Sequence, residues 1–370
     1  MHLRISRFAA VLFLLPLLAI PGTCAVAQQA APQVPTVPSL TVDRDPIPSP
    51  DPDTAPVPAD ATATPQAGPG SQVQRAGGTY TLRTDVGEVR LNASVLDSNG
   101  RVVQTLPREA FQVFEDGTQQ AVASFRHEDL PVSLGVLIDS SGSMYDKRAA
   151  VGRASIDLIK LSNPQDEAFL VDFSWEAFID QDFTRDIHKL EEGLNYVKAS
   201  GGTAIYDAVI ASADYLARNA KQPKQVLLLI TDGDDNASSS TLEETIRRVQ
   251  ELDGPTIYCV GLLFGPDEDR RESRHARRVL ETLAEQTGGV AYFPRRLEDV
   301  DSIAQQVAAD IRQQYTIAYT STKPARMGGY RTIHVTAQQK GYSRLTVRTR
   351  SGYFPKGSAP VGSAPAATRQ

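Results

Sequence analysis

The chain has 370 residues, enough for one full-sized domain and a smaller companion, with 41% hydrophobic residues and a formal net charge of −6. This mild acidity argues against a phosphate-backbone partner, so nucleic acid drops out as a class of ligand. With 2 cysteines in the whole chain, a disulfide-built scaffold is excluded as well.

Taken from the N-terminus, residues 1–27 have the pattern of a signal peptide. Arg4 and Arg7 give a positive start, residues 8–20 are apolar, and Ala25, Val26 and Ala27 form a small-residue cleavage site. The apolar stretch falls short of the roughly 20 residues that a membrane span needs. The reading is therefore an exported protein, periplasmic or extracellular, with no stable membrane span once the segment is removed. Pro21, Gly22 and Thr23 ahead of Cys24 lack the apolar residue that heads a lipobox. After cleavage Cys259 alone remains, inside an apolar run, where it reads as a small buried hydrophobe.

Residues 28–78 are dense in Pro, Ala, Thr and Asp, and prolines from Pro32 to Pro58 block helix and interrupt any strand ladder. They read as an extended, disordered linker. From residue 79 the pattern changes to strand alternation. Val89, Leu91, Ala93 and Val95 alternate with polar residues, Asp97 to Gly100 makes a hairpin turn, and a return strand is expected over 102–106. Further strands follow at 111–114 and 121–125. Residues 79–131 thus form the first half of a small β domain, too few strands to bury a core alone. Its second half is expected at 313–355, where 315–319, 330–335 and 345–350 alternate again; 356–370 is a disordered tail.

Between the halves, residues 132–312 alternate short apolar strands with helical periods. That is the signature of a doubly wound, mostly parallel sheet, an α/β fold of Rossmann-like type inserted into a β-sandwich-like domain. Residues 136–138, 226–230 and 256–264 are its apolar strands. Val151, Ala154, Leu158 and Leu161 mark one helix face; Ile205, Val209, Ala213 and Leu216 mark another. Ser240 to Glu243 resembles a capping box that opens a further helix.

The first strand runs into Asp139, Ser140, Ser141, Gly142 and Ser143, which places oxygens at the carboxyl edge of the sheet, where open α/β folds hold ligands. The strand 226–230 delivers Asp232 to the same edge, and Gly201 and Gly202 lead Thr203 toward it. Asp139, Ser141, Ser143, Thr203 and Asp232 then form an all-oxygen set suited to a hard divalent cation, Mg2+ or else Mn2+ or Ca2+. Asp207 is expected to orient that set, whereas Asp234 and Asp235 read as solvated loop residues. The charged run 267–278 reads as a solvated loop and helix face; the sharper alternative has it lining the same edge.

The DSSGS, GGT and TDG segments, in this order, resemble the metal-ion-dependent adhesion site of a von Willebrand factor A domain, a likeness covering 132–312. The flanking β segments resemble those of secreted bacterial proteins that carry such regions. The resemblance implies that Ser141, Ser143 and Thr203 supply hydroxyl ligands, while Asp139 and Asp232 bind directly or through water. It implies a protein partner with an exposed Asp or Glu, captured through the cation, and no catalysis. A structural envelope scaffold with a stabilising metal is the alternative. A hydrolase ranks below both, because no histidine stands near the motif in sequence and there is no nucleotide-binding loop.

Overall fold

The computed structural model describes residues 74–76, 79–81, 87–161, 163–195, 201–264 and 270–356. The expectations for residues 1–27, for the proline-dense part of the linker and for the tail beyond Lys356 lie outside the described residues. A short hairpin of β1 (Gln74–Ala76) and β2 (Thr79–Thr81) opens the described chain. Its first strand falls inside the stretch expected to be linker, in the proline-free segment after Pro69.

The first β segment contributes β3 (Glu88–Leu96), β4 (Phe111–Glu115), β5 (Thr118–Gln120) and β6 (Val122–Arg126). The return strand expected at 102–106 does not form. The turn at Asp97 and Gly100 is present, but only a single bridge joins Leu96 to Val102. The chain instead turns inward, burying Val103 and Leu106, and its backbone is fixed by one side chain: the Tyr315 hydroxyl donates to Val103 O at 2.9 Å and accepts from Leu106 N at 3.0 Å.

The α/β unit follows with β7 (Val132–Asp139), α1 (Arg148–Lys160), β8 (Glu167–Phe173), β9 (Ala177–Thr184), α2 (Ile187–Leu194), α3 (Ile205–Asn219), β10 (Lys224–Thr231), α4 (Leu242–Glu251), β11 (Thr256–Gly261), α5 (Arg270–Thr287), β12 (Ala291–Tyr292) and α6 (Val300–Arg312). Six strands join in the order β12-β11-β10-β7-β8-β9, all parallel but β9. Every residue of β7 is buried, as its unbroken apolar run requires of a strand covered on both sides. Val136 and Ile138 point to a core with α1, α2 and α6, while Leu137 points to one with α3, α4 and α5. Gly135 is demanded by closeness: a Cβ there would sit 2.5 Å from Phe169 and 2.6 Å from Leu227, whose side chains close over the strand.

Local signals set the start of α4 and the end of α1. Thr241, not Ser240, caps α4 in a capping box with Glu244, one residue later than expected. Leu161 is the C-cap of α1 and exposed, so the buried face of that helix ends at Leu158. β11 stops at Gly261, and Leu262 to Phe264 continue as loop. Cys259 is buried in β11, and burial pushes its thiol far above the usual range, as befits an inert core residue.

After α6 come β13 (Tyr315–Thr320), β14 (Arg331–Ala337), β15 (Thr346–Arg348) and β16 (Gly352–Tyr353). They complete two four-stranded sheets, β15-β3-β13-β6 and β16-β14-β4-β5, each built from strands of both chain ends. Val89, Leu91 and Ile317 of one sheet and Val113, Ile333 and Val335 of the other share one core. A buried polar knot lies in it. Glu115 accepts from Tyr319 Oη at 2.7 Å, Tyr353 Oη at 3.0 Å, Ser321 Oγ at 2.6 Å and Arg331 at 3.2 Å, and the Arg331 and Glu115 side chains are 1% and 2% exposed. A second knot ties this module to the α/β unit: Asp310 of α6 accepts from Tyr258 of β11 at 2.7 Å and from Arg348 of β15 at 2.8 Å.

Candidate metal centre

Three loops at the carboxyl edge of the parallel sheet bring the expected residues together. β7 ends on Asp139, which is wholly buried, and the chain turns at once, with Ser141 N–H donating back to Asp139 Oδ1 at 2.8 Å. From the end of neighbouring β10, Thr231 Oγ1 donates to Asp139 Oδ2 at 2.6 Å. Ser141 Oγ and Ser143 Oγ lie 3.1 Å apart, and Ser143 Oγ donates to Asp232 Oδ1 at 2.8 Å. Asp139 and Ser141 form the floor and exposed Ser143 the lip.

Thr203 is positioned from the side. Its N–H donates to Asn236 Oδ1 at 2.9 Å and its carbonyl accepts from Asn236 N at 3.0 Å, so the loop after Asp232 grips it at both ends. Its hydroxyl faces that loop as well: a Cβ built on Gly233 would lie 3.9 Å from Thr203 Oγ1. The two glycines before it have a physical reason. Trp175, exposed in the turn between β8 and β9, lies flat on them, so that a Cβ would meet its ring at 2.5 Å from Gly201 and 2.9 Å from Gly202. Gly201 also has φ +93°, in the region glycine favours.

Residues outside the motif do much of the positioning. Ser140 turns away from the edge, its Oγ donating to Asp172 Oδ2 at 2.8 Å and Phe173 O at 3.0 Å, which anchors the turn to β8. Lys147 Nζ donates to Asp232 Oδ2 at 2.6 Å. Asp235, expected to be solvated, accepts from Tyr206 N at the start of α3 and from Ser238 N and Oγ. Asp234, also expected to be solvated, pairs with His275 of α5, so the charged run does reach this edge. Asp207 does not touch the five expected residues in any recorded bond; its carboxylate accepts from Ser239 N, Ser239 Oγ and Ser240 N and fixes the loop ahead of α4. Asn236 carries no sequence signal beyond its nearness to Asp232, and Lys147 none beyond its distance of four residues from Ser143.

The electrostatics centre on Asp139. Burial pushes its carboxyl up to about 6; the bonds from Thr231 and Ser141 oppose the rise, and the neighbouring Asp232 charge adds to it. Its donors, the Thr231 hydroxyl and the amide and hydroxyl of Ser141, are all neutral. Among the described residues no three His, Cys, Asp or Glu side chains gather as a ligand cluster, so a cation held here relies on hydroxyls beside its two carboxylates. This donor chemistry fits a hard divalent ion: every candidate atom is oxygen, and a buried carboxylate faces the set without a cation of its own.

Residues 134–234 match the von Willebrand factor type A domain family, a range that holds all five residues and stops before β11. The chain is 28% identical over 237 residues to inter alpha-trypsin inhibitor, heavy chain 4, of Mus musculus, covering 58% of this chain and 24% of that protein. It is 24% identical over 245 residues to inter-alpha-trypsin inhibitor heavy chain H4 of Bos taurus, covering 62% and 24%. It therefore spans about a quarter of the length of these relatives. A solved von Willebrand factor type A structure from Catenulispora acidiphila superposes with a TM-score of 0.42 at 14% identity, over 74% of each chain. No helix among the described residues is long and apolar enough to cross a membrane.

Proposed function

We propose, from the von Willebrand factor type A domain that this chain carries, that it is an exported binding module that captures an acidic side chain of a protein partner through a divalent cation. Asp139, Ser141, Ser143, Thr203 and Asp232 would hold the ion, with Mg2+ the first choice and Mn2+ or Ca2+ the alternatives. The observation that carries this reading is the buried Asp139 carboxylate, offset by neutral donors alone on the floor of the site at the sheet edge. Burying a carboxylate without a cation is costly, and an ion from solution relieves that cost. When bound, a divalent ion supplies an electrophilic point that accepts an outside carboxylate oxygen. The chain's own part is to hold the oxygens in place, cover Asp139 through Thr231 and Ser141, and expose Ser143 at the rim.

Binding is favoured over hydrolysis by the hydroxyls themselves. Ser141 and Ser143 are bonded to each other and Ser143 also to Asp232, and neither has a histidine in those bonds. His275, the histidine that reaches the edge loop, is engaged by Asp234. A serine nucleophile needs a free base within hydrogen-bond reach, and the carboxylate that Ser143 meets, Asp232, is already paired with the Lys147 ammonium.

The test is an immobilised peptide array in which each Asp or Glu member has an Asn or Gln twin. Magnesium-dependent binding confined to the carboxylate members, lost in chelator and with Ser143→Ala, is the expected result. Equal binding to the amide twins, or binding undiminished by chelator, would overturn capture through the cation and leave the metal a scaffold role.

A further inference from the structure

We propose that Lys147 is a tethered cation that competes with the divalent ion for Asp232 and so sets how tightly the site holds metal. The proposal rests on the metal reading above and adds a residue outside the expected ligand set. Asp232 has a fully covered side chain, and both of its oxygens are engaged: Oδ1 accepts from Ser143 and Oδ2 accepts from the Lys147 ammonium at 2.6 Å. The residue that carries the ammonium is fixed at its backbone. Lys147 is the N-cap residue of α1, its backbone N–H donates to Met144 O, its side chain is 20% exposed, and its Nζ stands 5.5 Å from the centre of the Phe264 ring.

The two carboxylates of the site are therefore unlike. Asp139 is met by a hydroxyl and an amide; Asp232 is met by a hydroxyl and a full positive charge. An ion approaching Ser143 and Asp232 must share the carboxylate with this ammonium or displace it. Like charges this close repel, and a charge-assisted hydrogen bond must be weakened or lost when the ion enters. A lysine suits such a part, because its ammonium is a point charge on a flexible stem that moves aside without unfolding the loop. The pairing also keeps Asp232 neutralised when metal is scarce, so the edge stays ordered across metal concentrations while holding metal only above a threshold.

The experiment is magnesium calorimetry on the full mature chain as wild type, Lys147→Met, Lys147→Gln and Lys160→Met, with lysine acylation mapped by mass spectrometry in chelator and in saturating magnesium. Lys160 lies on the same helix and pairs with Glu191 on the surface, so it reports general charge effects. Loss of the Lys147 charge is expected to tighten magnesium binding on the order of tenfold, the scale of one charged hydrogen bond. Lys160→Met is expected to leave the affinity within about twofold, as for a solvent-screened charge. Magnesium should raise acylation of Lys147 in the wild type and leave that of Lys160 unchanged. Wild-type binding with no gain in Lys147→Met and Lys147→Gln, or Lys147 acylation that ignores magnesium, overturns the role of Lys147 while leaving the metal site standing. No magnesium binding by any of the four proteins overturns the metal reading beneath it.

Discussion

Two buried carboxylates in this molecule are treated in opposite ways. Glu115, in the β module, is closed in by two tyrosine hydroxyls, a serine hydroxyl and the buried Arg331 guanidinium, a complete internal set. Asp139, at the sheet edge, is as deeply buried but is offered only neutral donors. Glu115 thus has its own cation inside the core, whereas Asp139 has none, and in the reading proposed above that deficit is what a cation from outside would fill. The β module is thus finished as folded, whereas the edge of the α/β unit is left one charge short.

The sharpest way to break this contrast is to remove the two carboxylates in turn. Glu115→Ala strands the Arg331 guanidinium in the core and should cost about 3–5 kcal/mol of stability, read by urea unfolding. Asp139→Asn should leave the protein in chelator at least as stable as wild type near pH 8, since it removes a desolvated charge. If Asp139→Asn proves as damaging as Glu115→Ala, the edge carboxylate is structural and the contrast fails. Next in size is the effect of metal: magnesium at about 100 times its Kd should stabilise the wild type by roughly 2.7 kcal/mol and Asp139→Asn not at all. A thermal melt with and without chelator reads both.

A smaller effect comes from pH. Folded Asp139 titrates at about 6, whereas an unperturbed aspartate titrates near 3.8, so between these values the folded chain binds the extra proton. In chelator, stability should therefore fall as pH rises from about 4 to about 6, relative to Asp139→Asn, by linkage. The same titration makes magnesium bind more tightly as pH rises through 6, because the ion competes with that proton. A difference between the two proteins that is flat across this window would mean that the carboxyl is not desolvated. The smallest effect is a control: Thr241→Ala removes the capping box of α4 and should cost about 1 kcal/mol, the same with and without metal.

Much of this was legible in the sequence because it rests on short-range pattern. Unbroken apolar runs located β7 and β10, and oxygen-bearing residues directly after them placed Asp139, Ser141, Ser143 and Asp232 at one edge. What was not legible depends on partners distant in the chain. Asn236 grips Thr203 across 33 residues and Lys147 reaches Asp232 across 85, and no local period marks either. The bonds of Asp207 were hidden for the same reason, since the Ser239 and Ser240 amides that it accepts from belong to a distant loop. The expected strand at 102–106 failed because alternation fits a packed loop as well as a ladder: Val103 and Leu106 face the core, and Tyr315 supplies the bonds a neighbouring strand would have made.

The chain contains 1 tryptophan, and Trp175 lies on Gly201 and Gly202 beside Thr203, which makes its emission a native reporter of the edge. The most direct measurement is a magnesium titration of wild type and Asp139→Asn, followed by Trp175 fluorescence and by calorimetry in parallel. A saturable change in both signals for the wild type, absent from Asp139→Asn, is the predicted result. Equal magnesium binding by the two proteins would contradict the claim that the uncompensated carboxylate at this edge is what holds the ion.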